Sequence, residues 1–171
     1  MFRCTTMMAQ LIFAVVAMPA LSEAAFAQNS PPSRAEIKQV AACTAKARKA
    51  ETNSEACIGQ VAERCMEEPK MGSTHGQRDC AGRENAIWDK TLNRRYKRLA
   101  KALSAKGAIK LRNTQRIWLK WRKAKCEMPY VLFEGGSIAG PMASFCVMRA
   151  TALRTIELGL SLEAFGIDPT K

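Results

Sequence analysis

Between Gln77 and Leu103 apolar residues recur at every third or fourth position. The row is Cys80, Trp88, Leu92, Tyr96, Leu99 and Leu103, with Glu84 as its polar member. That period belongs to a helix with one buried face, so a long third helix is predicted over about 77–103, with Ser73 or Thr74 as its cap. Gly107 reads as a tight connection, and Leu111, Gln115, Trp118, Arg122 and Cys126 then mark the inner face of a fourth helix over about 108–128. A fifth, over about 142–159, turns Met142, Cys146, Leu153, Ile156 and Leu160 inward. Upstream, Ser33 can cap an alanine-rich first helix over 34–49, and Asn53 or Ser54 a second running to about 67. Residues 69–76 and 134–141 are loops by their glycines and prolines. Nothing alternates with the period of a strand, so the fold class is all-α: a small bundle of about five helices.

Short links make neighbouring helices antiparallel. Helices three and four should therefore form a long hairpin in which Trp118 meets Tyr96 and Arg122 falls beside Asp89 and Leu92. A charge on such a face is tolerated only when it is paired and hydrogen-bonded. Glu84, Asp89, Gln115 and Arg122 are accordingly read as satisfied interior groups, with Asp89 or Glu84 as partner of Arg122. The outer faces differ. Lys90, Arg94, Lys97 and Lys101 line helix three, and Arg112, Arg116, Lys120 and Lys123 line helix four, with few acids to relieve their repulsion.

Charge extends that picture. The chain carries a net +12, which favours anionic partners: an envelope component, a membrane surface or an acidic protein. Arg3, the apolar run Leu11–Met18 and Ala25-Phe26-Ala27 have the order of a secretory leader over residues 1–27. Cleavage after Ala27 leaves no cysteine near the new N-terminus, so a periplasmic or secreted protein without a lipid anchor is expected. The apolar run is too short to span a membrane. Residues 28–33 then form a linker, 34–160 the helical domain and 161–171 a C-terminal tail.

Export changes how the cysteines read. Cys43, Cys57, Cys65, Cys80, Cys126 and Cys146 remain after the leader, an even number suited to disulfides. Their spacing groups them as Cys43–Cys57, Cys65–Cys80 and Cys126–Cys146, three staples between neighbouring segments. There is no C-x-x-C, and His75 is the one histidine, so neither a zinc site nor a catalytic nucleophile–base set has a supply of residues. No cofactor is expected. Trp88 and Trp118 fall on buried stripes, leaving Trp121 alone for base stacking, and export also argues against nucleic acid.

Four motifs in order resemble one family. Cys80-x3-Glu84-x3-Trp88-Asp89-x2-Leu92-Asn93-x2-Tyr96 and Leu111-x3-Gln115-x2-Trp118-x3-Arg122-x3-Cys126 are similar to the first two helices of the lysozyme inhibitor LprI-like domain. Glu134-Gly135-Gly136-Ser137 resembles its loop, and Cys146-x2-Arg149-x-Thr151-x2-Arg154-Thr155-x-Glu157-Leu158 its closing helix. The resemblance implies an exported helical domain without enzymatic activity, some of whose members are credited with inhibiting lysozyme. It transfers fold better than function, because the motifs coincide with core and cysteine positions.

Two functional readings follow. In the leading one, a non-catalytic envelope protein docks an anionic partner through Arg94, Lys97, Lys101, Arg112, Arg116, Lys120 and Lys123. In the other, the Gly-rich loop 134–141 inhibits lysozyme through a tip at Gly136, Ser137 and Ile138. Host lysozymes are themselves basic, so a net +12 opposes the encounter unless a local acidic patch such as Glu63, Glu67 and Glu68 overcomes it.

Overall fold

The computed structural model describes residues 30–170, and the leader expected over 1–27 lies outside them. Five α-helices follow in order: α1 Arg34–Lys49, α2 Gln60–Met66, α3 Thr74–Ala102, α4 Ala105–Leu132 and α5 Ala139–Ala164. Their starts follow capping chemistry. Ser33 and Glu36 form a reciprocal capping box on α1, Ser73 accepts from the Gly76 N–H on α3, and Ser104 accepts from the Gly107 N–H on α4. Gly107 thus lies inside the first turn of α4, and Leu103–Ser104 is the connection instead. The second helix splits. A 3₁₀ turn at Ser54–Cys57 precedes α2, with Gly59 between them at φ +99°, which suits glycine.

Helices α3 and α4 form the expected hairpin, and α5 packs along both arms. It runs parallel to α3, where Arg95 meets Gly159, and antiparallel to α4, where Cys126 is bonded to Cys146. Because α5 touches neighbours on several sides, it has no single apolar stripe. Met148, Ala152, Leu158 and Leu162 are buried, whereas Met142 and Leu160 of the expected inner row are exposed. One core cluster gathers Val40, Val61, Ile87, Trp88, Met148 and Ala152. A second joins Leu92, Leu99, Leu158 and Leu162, with Tyr96 and Trp118 packed against it.

Residues 161–170 are not a loose tail. The helix continues to Ala164, Ile167 packs on the second cluster, and Pro169 is buried. The Arg95 Nε and an Arg98 nitrogen donate to the carbonyls of Pro169 and Asp168, which fastens the segment to α3. Three disulfides, Cys43–Cys57, Cys65–Cys80 and Cys126–Cys146, join α1 to the 3₁₀ turn, α2 to α3, and α4 to α5. Among the described residues no helix is long and apolar enough to cross a membrane.

Candidate functional site

The interior polar groups serve the fold. Glu84 is fully buried, and its carboxylate accepts the N–H groups of Gly59, Val61 and Ala62 at 2.7, 2.9 and 2.9 Å, plus the Trp88 indole N–H at 2.8 Å. Gly59 has no side chain with which to cap α2, so a carboxylate from α3 takes that place. Gln115 is buried and accepts from Arg154 Nε at 3.1 Å, while Arg154 also pairs with Glu157.

Arg122 corrects an expectation. It bonds neither Asp89 nor Glu84; its Nη1 donates to the Thr151 hydroxyl at 2.8 Å, and its guanidinium stands 4.9 Å above the Trp118 ring. The inner face of α4 meets α5 at this level, and Glu84 is already saturated. Asp89 is only partly buried and accepts from Asn93, although its charge still opposes the lowering of the Arg122 pKa that burial causes.

Arg95 escaped the sequence reading altogether. It sits among the cations of α3, yet it is 8% exposed and donates Nη1 to the Thr155 carbonyl at 2.7 Å. Burial, with Arg94 adding to it, pushes its pKa down to about 10. Its one sequence signal is its place three residues after Leu92 on the inner stripe. Beside it, a cleft of about 590 Å³ lies between α1, α5 and the C-terminal segment. There Arg48 pairs with Glu163 and Asp168, and Arg149 with Glu55, so most of that cleft's rim charges are matched.

Two surfaces are left without such matching. Arg94, Lys97, Lys101, Arg112, Arg116, Lys120 and Lys123 are all exposed, and among the described residues only Lys123 of these has a salt-bridge partner, Glu127 at 3.8 Å. The other surface is the turn between α4 and α5, shorter than expected because α4 runs on to Leu132 and α5 begins at Ala139. Glu134 and Gly135 take positive φ there, +49° and +74°, and close the reversal with Gly135 N–H donating to the Tyr130 carbonyl. Gly136, Ser137 and Ile138 are exposed at its tip, with Leu132 and Phe133 beside them. Ile138 is 42% exposed, and Arg149 pairs with Glu55 at 3.5 Å. A groove of about 390 Å³ flanks the hairpin, lined by Arg78, Asn85, Lys123, Glu127 and Tyr130.

Taken together these features define a disulfide-stapled helical module with an exposed α4–α5 turn and two cationic helix faces. The family described as Lysozyme inhibitor LprI matches residues 65–158, and the chain belongs to that family. Neither a curated protein nor a solved structure matches the chain.

Proposed function

We propose that this chain is a non-catalytic exported protein that inhibits a lysozyme by inserting the turn Phe133–Ile138 into the enzyme's sugar-binding cleft. The observation that carries this reading is the exposed turn standing on a base that Cys126–Cys146 clamps. Such a base keeps the turn ordered before binding and lowers the entropy lost on association. Charge is less of an obstacle than net values suggest. A glycosidase cleft carries a pair of acidic residues, to which the cations of α4 behind the turn are complementary. Three disulfides also fit an oxidising compartment outside the cytosol.

The test is lysozyme turnover on peptidoglycan with the chain added, compared with a Ser137→Arg/Ile138→Glu variant of unchanged net charge whose fold is checked by circular dichroism. Inhibition by the native chain, weakened about tenfold or more in the variant, supports the reading. A folded native chain that leaves turnover unchanged overturns it; equal inhibition by both moves the contact away from the turn.

A second reading is favoured by the unmatched cations of α3 and α4. On it, those faces dock an anionic envelope component or an acidic protein, and binding weakens steeply with added salt.

A further inference from the structure

The outward side of α4 carries a pattern that the core does not use. Ile117, Trp121, Ala124, Met128 and Val131 follow one another at alternating spacings of four and three, so they form a single ridge on the helix. All five are exposed, Ile117 at 67% and Trp121 at 50%. Leu132, 68% exposed, extends the ridge onto the turn. From Ile117 to Leu132 it is about 22 Å long at the helical rise. Opposite it, Gln115, Cys126 and Pro129 are buried against the rest of the fold, so the ridge is a second apolar face on a helix that already has one.

What borders the ridge tells what covers it. Arg116, Lys120 and Lys123 run along one side, and Lys125 closes the other with its Nζ 4.7 Å over the Trp121 ring. Glu127 is the one acid in α4. A second copy would bring like charges together along both edges of an antiparallel pairing. An anionic bilayer instead offers phosphate to the cations and a shallow apolar layer to the ridge. A helix with basic flanks and exposed Trp, Ile and Leu lies in that interface, and tryptophan prefers the headgroup level.

We infer that the chain docks peripherally on anionic phospholipid, with α4 lying in the bilayer plane and Ile117, Trp121, Met128 and Leu132 entering the headgroup boundary. The docking does not depend on the lysozyme reading, since it uses the flank of α4 and leaves Ser137 at the turn. It gives the cationic faces a defined role, with apolar insertion and charge acting together.

The experiment is sedimentation of the chain with vesicles rich in phosphatidylglycerol, set against vesicles of phosphatidylcholine alone. The native chain should bind the anionic vesicles, and its tryptophan fluorescence should be quenched by brominated acyl chains. Ile117→Ser/Trp121→Ser/Met128→Ser keeps every cation and should weaken binding about tenfold or more while losing the quenching. Lys120→Gln/Lys123→Gln should weaken it about fivefold per charge removed. Circular dichroism checks the fold of each variant, and turnover inhibition by the Ile117→Ser/Trp121→Ser/Met128→Ser variant, which keeps the turn and every cation of α4, makes failure here separable from failure of that reading. Three results would overturn the inference: no binding to anionic vesicles, binding that survives loss of the apolar ridge, or a stable dimer built on it.

Discussion

The Glu84 carboxylate accepts the Trp88 indole N–H one helical turn away, at 2.8 Å, while its two oxygens also receive three amides from the start of α2. Four donors converge on one fully buried anion. Glu84→Gln should therefore be badly tolerated, because the amide nitrogen would turn two N–H groups toward backbone donors. The expected loss is about 3–5 kcal/mol, typical of breaking a buried charged network. Urea unfolding measures it, and a midpoint close to that of the native chain would show that the amides have other acceptors.

Gly159 presents a competition between two effects of known size. Alanine in a helix is favoured over glycine by about 1 kcal/mol. A Cβ at this position would, however, stand 2.7 Å from Arg95 Nη1, which is held by the Thr155 carbonyl. Gly159→Ala should destabilise by about 1–3 kcal/mol through overpacking and the lost hydrogen bonds. In an Arg95→Ala background the same change should become neutral or stabilising. A double-mutant cycle reads the sign reversal directly.

Arg122 is bonded to a neutral hydroxyl and stacked on Trp118, so its removal leaves no buried counter-charge. Arg122→Ala should then cost about 1–2 kcal/mol, the sum of one hydrogen bond and a cation–π contact. Arg116→Ala, fully on the outer face, should stay within about 0.5 kcal/mol of the native value. Denaturant midpoints for the pair decide. A much larger loss at Arg122 would reinstate a carboxylate partner.

Asp168 ties the C-terminal segment to α1, and the Arg48 hydrogen bond at 2.7 Å, with two more from Thr170, holds its carboxyl well below the usual carboxylate range. A folded-state pKa that is lowered contributes stability above the unfolded value, near pH 4, and that contribution fades as pH falls further. The melting temperature of Asp168→Asn should lie below that of the native chain at neutral pH, and the gap should shrink on acidification. A gap constant through the acid range would mean that this carboxylate does not anchor the segment.

Much of the fold was legible because it depends on short-range rules. Ser33 and Ser73 cap where expected, and the row from Cys80 to Leu99 is the inner face of α3. The cysteines pair in sequence order because separations of 14, 15 and 20 residues join neighbouring segments at small loop entropy. The family motifs were legible for the same reason, since they consist of helix faces and cysteines. Only the tertiary structure decided what each polar group faces. Glu84 was placed inside by its period, but its backbone partners lie 22 to 25 residues away across a disulfide-linked junction. Arg122 was placed beside α3 by the geometry of a two-helix hairpin, and α5, arriving later in the chain, took that position with Thr151. Arg95 sits among the surface cations of α3 in the sequence, and it is buried only because α5 and the C-terminal segment pack over it. Helical period depends on the backbone's 3.6-residue repeat and can be read from one segment. The partner of a charge depends on which distant segment excludes water from it, and that is fixed only when all five helices are packed.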